Sequence, residues 1–191
     1  PWRGAFVTPR GDGPRWVLVA WSRWTGQFAK RPAAGAEGPV LDPYSTLATD
    51  AHIAYVCDPM LDAIPADLIG SAFCDSLEVY RDDWTPTLVE DFTERRGYDP
   101  REQLWALFVT SAESAAFRDD YYGTLSGLYE ENFGARLRNW AADRGVPFRI
   151  QSYGEPPATV SSYRSADRIE GEGWGWKEIT QTRWASSAAS L

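Results

Sequence analysis

One short segment of the chain brings together carboxylates and large aromatic side chains. Asp75 and Glu78 lie at the end of an apolar run, and Tyr80 and Trp84 follow them closely. A positioned carboxyl group can protonate a leaving oxygen, and aromatic rings stack on the apolar faces of sugar rings. In barrel enzymes the point where a strand gives way to a loop opens on the active site. These residue types therefore indicate cleavage of glycosidic bonds.

The elements that must position these side chains alternate between strands and helices. The apolar runs predict strands at residues 15–21, 68–75, 148–153 and 168–170. Parallel neighbours need crossovers that usually contain a helix, so the alternation favours a parallel α/β fold. A complete (β/α)8 barrel of the TIM type needs about 250 residues, so the 191 residues here predict a partial barrel of about four β/α units.

Local signals predict where the helices lie. Thr85 and Pro86 are expected to begin a helix that ends at Gly97, and the longest helix is expected over residues 115–143. Its apolar face has spacings of three and four and comprises Tyr121, Leu125, Leu128, Tyr129, Phe133, Leu137 and Trp140. A second apolar stripe after Pro43 comprises Leu47, His52, Ile53, Val56, Met60 and Leu61. We interpret His52 as structural.

Composition excludes several classes of function. The formal net charge of −8 opposes the positive surface that nucleic acid requires, and no apolar run approaches the length of a membrane span. Cys57 and Cys74 form neither a disulfide framework nor a zinc motif and are expected to be small apolar residues. The chain opens on Pro1 without Met and stops inside an apparent helix, so we expect residues 1–191 to be a fragment of a catalytic domain. The cellular location stays open.

Several motifs, in order along the chain, resemble glycoside hydrolase family 106, the α-L-rhamnosidases. The matching segments are residues 25–27 and 30–32, 38–42, 73–80 and 83–86, 148–154, 170–174 and 182–185. A single match of this kind would be weak, but the ordered set spread over most of the chain is fairly specific.

The resemblance implies a (β/α)8 barrel that hydrolyses terminal α-L-rhamnosyl bonds with inversion, assisted by calcium. Glu78 matches the strand-end glutamate that serves as the general acid, and Glu172 lies near a glutamate associated with the metal. The second catalytic carboxylate is expected beyond Leu191, so the fragment is expected to be inactive alone. Its substrate would be a rhamnose-containing glycoside, oligosaccharide or polysaccharide.

The remaining candidates come from residue type and position. Glu170 and Glu172 are separated by one glycine, and their oxygens suit calcium, although a solvated acidic turn would look the same. Asp75 could hold the proton of Glu78 by its negative charge or bind a sugar hydroxyl. Further substrate contacts are expected from Tyr80, Trp84, Gln151, Tyr153 and Trp174. Trp176 is another possible stacking residue. Lys30 and Arg31 could reach a sugar carboxylate or hydroxyl, or be solvated loop charges.

Two alternatives stay open. A retaining glycosidase could use Glu78 and Glu172 as its carboxylate pair, which requires a separation of about 5 to 5.5 Å instead of the ~6.5 to 9.5 Å of an inverting enzyme. A carbohydrate-binding barrel that has lost catalysis would keep the aromatic residues without the second carboxylate.

Overall fold

The computed structural model describes residues 13–14, 17–153, 157–171 and 179–190. The strands are β1 (Ala72–Cys74), β2 (Phe148–Ile150) and β3 (Arg168–Ile169). The α-helices are α1 (Thr46–His52), α2 (Asp58–Asp62), α3 (Leu88–Arg96), α4 (Ala112–Tyr129), α5 (Ala135–Asp143) and α6 (Ile179–Ala188). Shorter 3₁₀ segments are Ala66–Leu68, Pro100–Leu107 and Val160–Ser165, and π-helical turns occupy Ile53–Cys57 and Glu130–Gly134. None of the helices in these ranges is both long and apolar enough to cross a membrane.

The three strands form one parallel sheet in the order β1-β2-β3. Ala72 pairs with Phe148 and Cys74 with Ile150, while Ile150 also pairs with Ile169. Helices α3 to α5 make the crossover between β1 and β2, and the 3₁₀ segment Val160–Ser165 makes the shorter one to β3. The predicted parallel alternation of strands and helices is confirmed for these elements.

The long helix predicted over residues 115–143 is confirmed as α4 and α5, joined through the π-helical turn Glu130–Gly134. Its predicted apolar face is buried, and Phe133 packs against two core clusters. The first cluster joins α3 to α4 through Phe92 and Tyr121, and the second joins α5 to the sheet. At the turn, a Cβ atom on Gly134 would lie 2.8 Å from Ser165 Oγ, so the close approach there requires glycine.

The strand predicted at residues 15–21 is wrong for the residues that the structure describes. Residues 17–21 have no strand assignment, and Val17, Leu18, Val19 and Trp21 are exposed. An apolar run becomes a buried strand only where neighbouring strands and helices cover it, and the described part of the chain supplies none here. Arg15 and Trp16 lie outside the described residues.

Other boundaries also shift. The strands predicted at residues 68–75, 148–153 and 168–170 shorten to three, three and two residues, because their ends leave the ladder for irregular backbone. Helix α3 begins at Leu88, with Thr87 as its N-cap, and not at Pro86 with Thr85 as the N-cap. The Thr85 hydroxyl instead donates to Asp42 Oδ2 over 2.8 Å. The end of α3 at Gly97, with φ 80°, is confirmed.

The stripe predicted after Pro43 is wrong at Leu47, Val56 and Met60. These side chains are exposed, whereas Cys57 and Leu61 are buried. The π-helical turn Ile53–Cys57 changes the angle per residue, so a 3.6-residue period does not carry through it to Val56 and Met60. Leu47 lies before this turn, on the exposed face of α1. The fold is thus a mixed, largely helical arrangement around a small parallel sheet.

Candidate active site

Polar side chains gather at the carboxyl edge of the sheet. The residue directly after each strand is polar: Asp75 after β1, Gln151 after β2 and Glu170 after β3. The backbones stay together past the strand ends, since Gln151 N donates to Cys74 O over 3.0 Å and Glu170 N donates to Ile150 O over 3.1 Å. Parallel strands present their carboxyl ends at one edge, so these residues share one rim.

Glu78 lies next to this rim and forms an ion pair with Lys30. Leu77 N donates to Tyr153 O over 3.1 Å, which brings the residue before Glu78 beside the end of β2. Lys30 Nζ lies 2.7 Å from Glu78 Oε2 and donates to Tyr80 OH over 2.8 Å. The hydrogen bonds to Glu78 and then Tyr80 raise the pKa of Lys30, so its ammonium stays charged at neutral pH. Both members of the pair remain about half exposed, at 53% and 51%, and accessible from solvent.

Gln27 holds the backbone on either side of Val79. Its Nε2 donates to Glu78 O over 2.6 Å, and its Oε1 accepts from Tyr80 N over 2.8 Å. Gln27 belongs to a small antiparallel hairpin, in which Val40 N donates to Gln27 O over 3.0 Å. The sequence motifs included Gln27 and Lys30, but only the structure shows that both contact the segment 78–80.

A second polar network connects β2 and β3. Gln151, only 8% exposed, donates from Nε2 to Glu170 Oε1 over 3.3 Å and accepts from Tyr153 OH over 2.8 Å. Arg149 Nε lies 2.8 Å from Glu170 Oε2, which makes an ion pair although the angle is not that of a hydrogen bond. The Arg149 guanidinium also lies 4.3 Å from the centre of the Phe73 ring. The predicted rim residues Gln151, Tyr153 and Glu170 are therefore brought together.

The guanidinium of Arg149 would compete with calcium for the Glu170 carboxylate. Arg149 already neutralises Glu170, which makes Glu170 a poorer calcium ligand than an unpaired carboxylate. No group of three His, Cys, Asp or Glu side chains in the described ranges could hold a metal ion. Glu172 lies outside the described residues, as do Trp174 and Trp176. The described residues do not complete a calcium site, and calcium stays a prediction.

The loop after Glu78 is fixed to the core by two tyrosine hydroxyl groups, whose contacts were not predicted from the sequence. Tyr44 OH donates to Asp82 O over 2.5 Å, and Tyr121 OH donates to Asp83 O over 2.6 Å. Burial, and then the carboxylates of Asp42 and Asp83, raise the pKa of Asp82 to about 7. Asp82 Oδ2 is buried and accepts no hydrogen bond from the described part of the chain. In the sequence, the adjacent acidic residues Asp82 and Asp83 were the signal that could have identified this loop as unusual.

The structure also describes what surrounds two other side chains predicted to contact the substrate, Trp84 and Asp75. Trp84 is partly buried and packs against the first core cluster, with Leu88 and Phe92 among its members. Asp75 is exposed, and its Oδ1 accepts a hydrogen bond from Ser76 N over 2.8 Å. Contact of either side chain with a sugar stays a prediction.

Comparisons with known proteins identify a family and a similar solved structure. The sequence model of glycoside hydrolase family 106, described as alpha-L-rhamnosidase, matches residues 9–183. A protein of Formosa agariphila named "Putative beta-glucuronidase" is 27% identical over 197 aligned positions, which cover 97% of this chain and 17% of that protein. The solved structure of a rhamnosidase from Novosphingobium sp. PP1Y has the same fold over 87% of this chain and 18% of its own, with a TM-score of 0.70 and 23% identity. The chain thus spans less than a fifth of the length of these two proteins.

Proposed function

Because the chain belongs to glycoside hydrolase family 106, we propose that it forms part of a (β/α)8 barrel that hydrolyses terminal α-L-rhamnosyl bonds. The sheet β1-β2-β3 would be one section of that barrel, and its carboxyl edge would border the substrate. The observation that carries the proposal is the position of Glu78, held beside this edge by Lys30 and Gln27 from a separate hairpin.

In the proposed reaction Glu78 acts as the general acid. Its carboxyl proton passes to the glycosidic oxygen as the bond from that oxygen to the anomeric carbon breaks. A water molecule attacks the anomeric carbon from the opposite face and gives its proton to a second carboxylate, which we expect beyond Leu191. Inversion requires about 6.5 to 9.5 Å between the two carboxyl groups, which leaves room for the water.

Substrate contacts in this proposal come from Gln151, Tyr153, Asp75 and Tyr80. The Gln151 amide is already oriented by Glu170 and Tyr153, so it can hydrogen-bond a sugar hydroxyl without first losing conformational freedom. A calcium ion, if bound through Glu172, would fix sugar hydroxyls. The reaction steps proposed for Glu78 do not depend on that ion.

One observation favours a second candidate. The ammonium of Lys30 beside Glu78 suits a carboxylate that works as its anion, as the nucleophile of a retaining glycosidase does. In that alternative Glu78 attacks the anomeric carbon and Glu172 supplies the proton to the leaving oxygen. The two candidates differ in the first product, since inversion and retention release opposite anomers.

The test uses Glu78→Gln in the longest natural form of the protein, with Glu94→Gln on the exposed face of α3 as the matched control. Loss of an acid that contributes 10²- to 10⁴-fold should lower turnover of alkyl rhamnosides by about 100-fold or more, with binding largely kept. Unchanged turnover would refute the catalytic role of Glu78. NMR of the first anomer released by the unaltered protein separates inversion from retention, and sugar binding without any turnover would support a carbohydrate-binding barrel.

A further inference from the structure

The segment that carries Glu78 lies just past the end of a β-ladder. Among the described residues, the backbone hydrogen bonds that continue β1 and β2 reach Leu77, whose N–H donates to Tyr153 O. A catalytic carboxylate at such a point needs another support, because a displacement of about 1 Å can cost on the order of 10²-fold in rate.

The Gln27 side chain supplies the contacts that a neighbouring strand would make. A strand offers one acceptor and one donor to every second residue of its partner, and an amide side chain offers the same pair. Gln27 Oε1 accepts from Tyr80 N at 2.8 Å, and Gln27 Nε2 donates to Glu78 O at 2.6 Å. Glu78 and Tyr80 are two residues apart, which is the spacing of the two residues that one residue of a parallel neighbouring strand would contact.

The hairpin that carries Gln27 is itself held in place. Ala29 N donates to Gly38 O and Val40 N donates to Gln27 O, each over 3.0 Å. Two residues past Val40, Asp42 Oδ2 accepts from Thr85 Oγ1 over 2.8 Å. The 78–85 segment is therefore contacted near both of its own ends. Gln27 contacts it at residues 78 and 80, and Asp42 contacts it at Thr85.

We propose that Gln27 is a positioning residue that sets the location of the Glu78 carboxyl group by taking the place of a strand neighbour for residues 78 and 80. This inference rests on the proposed catalytic role of Glu78. Lys30 has a different part, since it contacts the side chains of Glu78 and Tyr80 and not their backbone.

Two substitutions separate hydrogen bonding from size. Gln27→Met keeps the length of the side chain and removes both hydrogen bonds. Gln27→Glu keeps the shape but, when ionised, turns the donor facing Glu78 O into an acceptor. A protonated glutamic acid again has one donor and one acceptor, so it can restore the amide pattern at low pH. Glu37→Met, an exposed change in the same hairpin, is the control.

The experiment measures kcat and KM in the longest natural form of the protein with two rhamnosides. One has an alkyl leaving group that needs protonation, and the other has a dinitrophenyl leaving group that departs as a stable anion. If Gln27 positions the acid, Gln27→Met should lower kcat by about 10- to 100-fold on the alkyl substrate and by less than about threefold on the dinitrophenyl substrate. KM should change little on either.

Equal losses on both substrates, or no loss on the alkyl substrate, would overturn the inference. Glu78, Lys30 and Tyr80 lie close to the new carboxyl group, so Gln27→Glu is compared with the unaltered protein at each pH. The ratio of the two activities should rise as pH falls toward about 4, where the new carboxyl group is protonated. A flat ratio counts against positioning by hydrogen bonds and also decides the case if Gln27→Met does not fold. Glu78→Gln distinguishes the two hypotheses. If it leaves turnover intact, the proposed catalytic role of Glu78 fails. If it abolishes turnover but the Gln27 variants have unchanged activity, only the positioning role of Gln27 fails.

Discussion

Lys30 Nζ lies 2.7 Å from Glu78 Oε2 and forms a contact between residues 48 positions apart. The same nitrogen lies 4.7 Å from the centre of the Tyr80 ring, besides donating to its hydroxyl group. One ammonium thus connects two predicted active-site side chains, while Gln27 holds the backbone between them. Orientation of the candidate acid therefore depends on a hairpin that contributes no strand to the sheet.

Lys30 and Gln27 should act on catalysis through one shared target. Lys30→Met is expected to lower kcat/KM on an alkyl rhamnoside by about three- to tenfold, because the Glu78 side chain loses the hydrogen bond that fixes its orientation. Residues that support the same group are not independent, so the loss in the Lys30→Met/Gln27→Met double variant should be smaller than the product of the single losses. Fully multiplicative losses would show that the two side chains act separately, and Glu37→Met in the same hairpin supplies the baseline.

Asp82 should make the protein less stable as pH rises. Its folded-state pKa of about 7 lies above the ordinary value of 3.8, so between these values the folded state binds more protons than the unfolded state. The free energy of unfolding should therefore fall between pH 4 and pH 7. Because the side chain is only half-buried, we expect a loss on the order of 1 kcal/mol.

The measurement is the urea midpoint at pH 5 and pH 8 for the unaltered protein, Asp82→Asn and the exposed control Asp62→Asn. Asp82→Asn should reduce the difference between the two pH values, because it removes the titrating group while keeping the backbone carbonyl that accepts from Tyr44. An undiminished difference in Asp82→Asn would assign the pH dependence to other groups.

Gly134 should not tolerate a side chain. A Cβ atom there would lie 2.8 Å from Ser165 Oγ and 2.9 Å from Ser165 Cβ, at the contact between the π-helical turn and the 3₁₀ segment. Gly134→Ala is expected to lower the free energy of unfolding by about 1 to 3 kcal/mol, as overpacking does.

Ser165→Gly removes both opposing atoms and should recover part of that loss in the double variant. The control is Gly127→Ala in α4, where the nearest atom to the new Cβ would be Arg95 Nη1, at the end of a long side chain, at 3.0 Å. The free energy of unfolding of each variant is measured by denaturant unfolding. If the Gly134→Ala protein is as stable as the Gly127→Ala protein, the close approach of Gly134 to Ser165 is contradicted.

Calcium, if it binds, should depend on Glu172 more than on Glu170. Arg149 lies 2.8 Å from Glu170 and competes with a metal ion for that carboxylate. Glu172→Gln is therefore expected to abolish any rise in melting temperature on addition of calcium, while Glu170→Gln keeps most of it. The comparison is made after EDTA treatment with and without added calcium, and the reverse order of effects would place Glu170 in the metal site.

Much of the fold follows from patterns that are local in the sequence. The apolar residues of α4 and α5 recur at spacings of three and four because one face of a helix must be covered, and that face is buried as predicted. Gly97 ends α3 because the C-terminal position requires a positive φ. Three of the four predicted strands are present and parallel.

The tertiary structure decided which residues contact each other across long stretches of the chain. Glu78 is a candidate from its motif alone, but its pairing with Lys30 and its support by Gln27 arise from a hairpin about 50 residues earlier. The ion pair of Glu170 with Arg149 on the neighbouring strand, which would compete with a metal ion, also depends on the tertiary structure. The apolar run at residues 17–21 reads as a buried strand because hydrophobicity is a property of the residues, whereas burial depends on what covers them.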